Sequence, residues 1–420
     1  MEKIIIKGEK RLSGKITVSS AKNAVLPVIV AALLVEGKCR IHEVPLLADV
    51  ETICDVLKEL GVQTTFLPNH ELEVDATMIV RCEAMDEFVR KMRASVLVMG
   101  PLLARIGRAK ISMPGGCAIG ARPIDLHLKG FEAMGVRISM DRGYIIAEAP
   151  QLHGAKVYLD YPSVGATENI IMAAALADGA TVIENAAEEP EIVDLANFIN
   201  NMGGRIRGAG TKVVKIEGVK SLAGGSYQVI PDRIEAGSYL AAAAITKGDL
   251  VLENVITDHL KPVIAKLKQM GCFLEDTEAG LHIAVDEPLK AVDLKTMPYP
   301  GFPTDMQAQF MALLTQAGGT SVVTETVFEN RFMHAEELRR MGADIRINGL
   351  TAIVEGPNKL TGALVKASDL RAGAALIIAA LGAEGETEII NTHFIDRGYD
   401  QLVEKLRSIG AHIKRSHDAG

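Results

Sequence analysis

A thiol stands in the middle of Met113-Pro114-Gly115-Gly116-Cys117-Ala118-Ile119-Gly120-Ala121-Arg122-Pro123. Glycines let the backbone reach positive φ and approach a ligand closely, so the stretch reads as a movable loop that orders when closure is rewarded. The reward is a thiol delivered to a substrate, and Arg122 on the same loop is a cation of the kind that favours the thiolate. The alternative is a small buried hydrophobe, which has no need of glycines on both sides.

Strong cations also interrupt small or apolar surroundings at the starts of helices. Lys22-Asn23 opens one apolar segment, Arg93 a second, and Arg371 a third after Ser368-Asp369-Leu370. Arg331 and Arg397 lie in Glu329-Asn330-Arg331-Phe332-Met333-His334 and Ile395-Asp396-Arg397-Gly398-Tyr399. A helix N-terminus favours anions, so a Lys or Arg there predicts a negatively charged partner. Local ion pairs, Asp369 with Arg371 or Asp396 with Arg397, are one source of that charge. Taken with Arg122, the set points to a ligand with several anionic groups, because each guanidinium can hold a carboxylate or phosphate through two hydrogen bonds. A small phosphorylated carboxylic acid fits. Among the acids Asp305 stands out, placed just before an apolar helix in Phe302-Pro303-Thr304-Asp305-Met306-Gln307-Ala308-Gln309. It reads as a functional acid or as a helix N-cap, and the two roles can coexist.

The elements that must position these groups recur six times. Each copy has an alanine-rich helix, an alternating strand, a second helix and a Met/Leu/Ile-Gly step into another strand. The steps are Leu60-Gly61, Met134-Gly135, Met202-Gly203, Met270-Gly271, Met341-Gly342 and Ile409-Gly410, where glycine serves as the left-handed helix end. Most of the first helices, 24–34, 94–104, 170–177, 236–245, 306–315 and 372–381, are apolar on nearly every face, and such helices are predicted to be buried. Second helices such as 49–60, 191–202, 258–270 and 396–409 carry charge on one face and are predicted to cover the surface. Each copy is therefore an α/β layer of βαβαββ type that cannot bury its helix alone. Six copies divide into two pseudo-threefold domains, with a hinge expected near Gly225–Ile230, the first strand crossing to the second domain, and a ligand cleft between the domains.

Composition narrows the function. A chain of 420 residues, 48% hydrophobic and 23% charged, is long enough for more than one domain. A net charge of −8, no Trp and 4% aromatics argue against a nucleic-acid surface. Five cysteines without a CxxC pair imply neither a disulfide framework nor a zinc site, and the scattered histidines imply no metal. GxGxxG, Walker, HExxH and GxSxG motifs are absent, so no nicotinamide or nucleotide-triphosphate cofactor is expected. The apolar run Ala24–Val35 is about half of the ~20 residues that span a bilayer and contains Pro27. A cytoplasmic protein without membrane insertion is expected.

The chain resembles the UDP-N-acetylglucosamine 1-carboxyvinyltransferases among the enolpyruvyl transferases. The resemblance runs nearly end to end, through Ser20-Ala21-Lys22-Asn23-Ala24, Lys91-Met92-Arg93-Ala94-Ser95, the Cys117 loop, Ser163-Val164-Gly165-Ala166-Thr167, Phe302 to Gln309, Thr326 to His334 and Asp369-Leu370-Arg371. It implies an inside-out α/β barrel fold in two domains of three repeats. One domain is 22–229 with the cysteine loop, the other is 1–21 plus 230–420, and the active site lies in the cleft. The implied reaction transfers the enolpyruvyl group of phosphoenolpyruvate to the 3′-hydroxyl of UDP-N-acetylglucosamine. It proceeds by addition and elimination through a tetrahedral intermediate, with release of phosphate.

By the same resemblance Cys117 is the acid that protonates the methylene carbon, can carry a pyruvate adduct, and is the thiol that the epoxide fosfomycin alkylates. Lys22, Arg122 and Arg397 would hold phosphate, and Arg331 and Arg371 would lie near the carboxylate. Asp305 would take the hydroxyl proton, and Asn23 and Arg93 would bind substrates. Arg122, Pro123, Ile124, Asp125, Leu126, Ser163, Val164 and Val327 would line the nucleotide-sugar site. One departure is Asp160-Tyr161 before Ser163, where many members carry a lysine near the diphosphate. The rival readings are a shikimate-type enolpyruvyl transferase, a non-catalytic nucleotide-sugar-binding regulator and a thiol hydrolase.

Overall fold

The computed structural model describes residues 2–84, 92–113, 120 and 124–417. Among them lie six four-stranded sheets, one for each sequence repeat. The copy over 156–217 shows the plan. Strand Lys156–Tyr158 runs parallel to Ala180–Glu184, and the parallel crossover between them is made by the helix Val164–Ala174. After the helix Pro190–Asn201 the chain returns through Ile206–Arg207 and Val213–Glu217, both antiparallel to their neighbours.

Three sheets are completed by strands distant in sequence. Gly225–Gln228 runs parallel to Lys38–His42. Ser13–Thr17 runs parallel to Asp249–Glu253. Glu2–Lys7 lies between Glu386–Ile390 and His412–His417, antiparallel to both. Its alternation is the reason: Ile4 and Ile6 share one face and are fully buried, while Ile5 and Lys7 point the other way.

The chain divides into two compact units. One contains Met1–Ser19 and Pro231–Gly420, the other Ser20–Gly116 and Arg122–Ile230. In the first, helices Arg233–Ile245, Gln307–Leu314 and Leu370–Leu381 pack on one another. Every residue of Gln307–Leu314 and Leu370–Leu381 is buried, the outcome expected of helices apolar on all faces. Small residues along them let the backbones approach closely, while each buried Leu or Ile contributes roughly 1.5–3 kcal/mol. In the second unit Met99–Ile106 packs on Val164–Ala174 and on the 3-10 turn Ala32–Leu34 that prolongs Lys22–Ala31. Among the described residues no helix is long and apolar enough to cross a membrane.

The six helix-to-strand glycines, Gly61, Gly135, Gly203, Gly271, Gly342 and Gly410, all have φ between 91° and 102°. A side chain would be strained there, which explains the periodic glycine. Four expected helices differ most from their sequence bounds: 170–177 is found as Val164–Ala174, and 258–270 is a 3-10 turn Thr257–Leu260 followed by the helix Lys261–Gln269. The segment 94–104 is a 3-10 helix through Val98 and α-helical only from Met99, because the Gly100 N–H donates sideways to Asn169 Oδ1 at 2.7 Å. The segment 396–409 becomes helical only at Leu402, after Gln401 at φ 49°. Its first residues are spent elsewhere: Asp396 pairs with Arg415, and the Tyr399 ring is buried.

Candidate active site

Asp305 lies in the 3-10 turn Thr304–Met306, directly ahead of the buried helix Gln307–Leu314. Pro303 sets the approach, and neither the turn nor the helix is capped by a side chain, so Asp305 is not acting as an N-cap. Its carboxylate instead accepts from two guanidiniums. Arg331 Nη2 reaches Oδ1 at 2.9 Å, and Arg371 Nη2 reaches Oδ2 at 2.9 Å. Both arginine side chains are at most 5% exposed, whereas that of Asp305 is 26% exposed. The arrangement is an acid open to solvent on one side, with buried cations behind it. Such charge-assisted bonds are the strong class of hydrogen bond.

Arg371 enters from the second residue of Leu370–Leu381, whose N-cap Asp369 accepts from the backbone N–H groups of Arg371 and Ala372. Asp369 thus stabilises the helix end, and its neighbour's guanidinium is free to pair with Asp305. Burial works against the charge on Arg371, but Asp305, followed by Tyr399 and Asp232, outweighs it and strengthens its hold on the proton. The Tyr399 hydroxyl lies 3.5 Å from Arg371 Nη1 and 2.7 Å from Ser238 Oγ. Gln309 Nε2 donates to the Asp305 carbonyl at 2.8 Å and lies 3.3 Å from the Tyr399 hydroxyl, so the core helices fix the backbone that carries the acid.

Arg331 stacks over Phe328, with its guanidinium carbon 5.6 Å from the ring centroid. His334 is buried nearby. Burial, reinforced by the charge of Arg331 and opposed by Asp369, pushes its imidazole down to about 4, so it is neutral at pH 7. Val327 is half-buried, and its N–H donates to Glu325 Oε1 at 2.8 Å. Arg397, also half-buried, follows Asp396, whose carboxylate is taken by Arg415.

The other unit carries the second group of predicted residues. Lys22 is the first residue of the helix Lys22–Ala31, and its Nζ pairs with Asp49 Oδ2 at 2.7 Å. Asp49 is buried in the first turn of Ala48–Glu59, so the anion expected opposite Lys22 comes from a helix 27 residues on. Asn23 follows in the same turn. Arg93 begins the 3-10 helix Arg93–Val98. Ile124 precedes and Asp125 and Leu126 open the helix Asp125–Ala133. Ser163 caps Val164–Ala174, its Oγ accepting from Ala166 N. Beside it Asp160 is paired with Lys129 at 2.7 Å, so a cation from another helix stands next to the position that departs from the expected lysine. Cys117, Arg122 and Pro123 lie outside the described residues, as does the Arg93 side chain.

The structure brings together Asp305, Arg331 and Arg371, and it joins Lys22 to Asp49. Sequence reasoning did not single out Asp49, Glu325, Tyr399 or Gln309. Each has at least one partner remote in the chain, Lys22 for Asp49, Thr296 and Thr304 for Glu325, Arg371 and Ser238 for Tyr399, and Tyr399 for Gln309, and no local spacing marks those pairings.

Comparisons with known proteins show which family has this sequence and fold. The profile of the EPSP synthase family, 3-phosphoshikimate 1-carboxyvinyltransferase, matches residues 6–406. A protein described as UDP-N-acetylglucosamine 1-carboxyvinyltransferase 2 of Carboxydothermus hydrogenoformans is 61% identical over 420 residues, covering all of both chains. UDP-N-acetylglucosamine 1-carboxyvinyltransferase 1 of Halalkalibacterium halodurans is 57% identical, covering 99% of this chain and 94% of its own. Among solved structures, the enolpyruvyl transferase NikO from Streptomyces tendae superposes with a TM-score of 0.88 at 25% identity, over 99% of both chains. The EPSP synthase of Acinetobacter baumannii shares the fold with a TM-score of 0.77 at 22% identity, over 99% of this chain and 100% of its own.

Proposed function

The chain belongs to the EPSP synthase family of enolpyruvyl transferases, and on that premise we propose that it transfers the enolpyruvyl group of phosphoenolpyruvate to UDP-N-acetylglucosamine for peptidoglycan synthesis. The observation that carries the reading is the full-length likeness at 61% identity to a protein described by that activity. The chemistry of the Asp305 cluster is what such a transfer needs. Asp305 takes the proton of the sugar 3′-hydroxyl as that oxygen bonds to C2 of phosphoenolpyruvate, and Cys117 gives a proton to the methylene carbon. The result is a tetrahedral phospholactoyl ether. Loss of a proton from the new methyl group then restores the double bond, and the C–O bond to phosphate breaks. Arg331 and Arg371 hold the carboxylate, while Lys22, Arg122 and Arg397 hold the phosphate, stabilising charge at the reacting centre.

Two carboxylates compete for one pair of guanidiniums in this scheme. Phosphoenolpyruvate takes a share of Arg331 and Arg371, and to that extent Asp305 is released to act as a base. Asn23, Arg93, Ile124, Asp125, Leu126, Ser163, Val164 and Val327 are the proposed nucleotide-sugar contacts. The finer architecture is proposed in the same way: the three repeats of each unit close as an inside-out α/β barrel around their buried helices. Domains 22–229 and 1–21 plus 230–420 both contribute to one active site, in a cytoplasmic enzyme.

The test is phosphate release from phosphoenolpyruvate with and without UDP-N-acetylglucosamine, with shikimate 3-phosphate as the control acceptor. Release that requires the nucleotide sugar and is abolished irreversibly by fosfomycin, with one equivalent bound at Cys117, is the expected result. Release with shikimate 3-phosphate alone would move the chain to the other branch of the family. Tight nucleotide-sugar binding without release would assign it a regulatory role.

A further inference from the structure

Glu325 directly follows the strand Gly319–Thr324 and is 1% exposed. A buried carboxylate is costly unless its oxygens are well supplied with donors. Glu325 is supplied by four, drawn from three segments. Oε1 accepts from Thr296 Oγ1 at 2.7 Å, from Val327 N at 2.8 Å and from Phe328 N at 3.3 Å. Oε2 accepts from Thr304 Oγ1 at 3.0 Å. Thr296 is held in turn, since its Oγ1 accepts from Thr326 N at 2.9 Å and its carbonyl from Thr326 Oγ1 at 2.5 Å.

The donors lie on both sides of the acid–guanidinium pair. Thr304 is the residue before Asp305 in the same 3-10 turn. Val327 and Phe328 begin the segment that leads to Arg331, and Phe328 carries the ring under the Arg331 guanidinium. One buried side chain therefore sets the spacing between the turn that presents Asp305 and the loop that presents Arg331. A charged hub of this kind over-determines local geometry, because moving either segment strands a donor or an acceptor away from water.

We propose that Glu325 is a positioning residue for the transfer, a buried carboxylate that holds the Asp305 turn and the Val327–Arg331 segment in register. The proposal rests on the enolpyruvyl transfer reading above. Glu325 touches neither substrate nor the reacting atoms. Its effect is on where Asp305 and Arg331 stand, and displacements of about 1 Å at such groups cost on the order of 100-fold in rate.

The experiment compares Glu325→Ala and Glu325→Gln in the full chain, with circular dichroism to verify folding and steady-state kinetics in both substrates. Glu325→Ala is expected to lower kcat at least tenfold, with a smaller rise in KM for UDP-N-acetylglucosamine. Glu325→Gln is expected to recover most of that loss, because an amide can keep the three bonds at one oxygen and donate to Thr304 from the other position. A folded Glu325→Ala with wild-type kcat and KM would overturn the proposal. Equal inactivity of the Ala and Gln variants would also overturn it, since that pattern requires the negative charge and not the geometry. If Glu325→Ala does not fold, Thr304→Val decides: a threefold to tenfold loss of kcat supports the proposal, and unchanged kinetics overturns it. Wild-type chain that releases no phosphate with UDP-N-acetylglucosamine would sink the underlying reading, an outcome seen before any variant is made.

Discussion

Arg371 shows why the residue type matters as well as the charge. Its planar fork reaches Asp305 with one nitrogen and lies near Tyr399 with another, inside a helix start that is otherwise apolar. Lysine is a point charge on a flexible stem and cannot serve both partners. Arg371→Lys should therefore lower kcat/KM for phosphoenolpyruvate by roughly 10- to 100-fold, the equivalent of losing a charged hydrogen bond of about 1.5–3 kcal/mol. Steady-state kinetics on folded protein checks this, and a loss under threefold would remove Arg371 from carboxylate binding. The cysteines make a related contrast. Burial pushes the Cys39 thiol up to about 11 and those of Cys54 and Cys272 up to about 12, so they are protonated and inert at neutral pH. Fosfomycin labelling mapped to any of these three rather than to Cys117 would contradict the assignment of the reactive thiol.

At the scale of elements, the N-terminal strands tie the ends of one unit together. After Glu2–Lys7 the chain turns at Gly8, where an added Cβ would stand 2.0 Å from the Ala383 carbonyl oxygen and 2.5 Å from that of Ala380. Both obstacles are backbone, one of them in the helix that carries Arg371, so neither can move aside cheaply. Gly8→Ala should destabilise the protein by roughly 1–3 kcal/mol, the usual cost of overpacking. A urea midpoint equal to wild type would show that the helix end yields more readily than these distances allow. The same docking explains why the strands Glu2–Lys7 and Ser13–Thr17 belong with sheets formed hundreds of residues later: each fills a position that the local repeat leaves vacant.

Across the whole molecule, two buried groups in different units respond to acid in opposite senses. His334 titrates at about 4 in the folded chain and near 6.5 when unfolded. The unfolded chain therefore binds the extra proton between these values, and stability falls as pH drops through that window. Asp194 is the reverse case. Burial pushes its carboxyl up to about 6, against the Tyr227 hydroxyl and a backbone bond that oppose the rise. The folded chain then holds the extra proton between about 4 and 6, so acidification through that range favours it. Each contribution is on the order of 3 kcal/mol at its full extent. His334→Gln should shrink the loss of stability between pH 7 and 5, and Asp194→Asn should enlarge it, as read from urea midpoints at the two values. Identical pH dependence in wild type and both variants would show that neither group is the source.

Much of this was readable along the chain. The glycine period marked six helix ends, all-apolar helices marked the interior, and the motifs around Lys22, Asp305, Arg331 and Arg371 marked charged groups that the structure pairs. These are local properties, set by backbone sterics, hydrophobic periodicity and residue type within a few positions. Pairing across long separations was not readable. Asp305 also fits a helix cap along the sequence, and Asp369 an ion-pair partner of Arg371. Only the packed structure assigns the cap to Asp369 and both arginines to Asp305. Glu325 and Asp49 carried no local signal, because a buried carboxylate is defined by the donors that surround it. The remote donors, Thr296 and Thr304 to Glu325 and Lys22 to Asp49, come from segments brought together by sheet pairing and helix burial, so residue types and local spacing fix which groups are present, while packing fixes which of them hold one another in place.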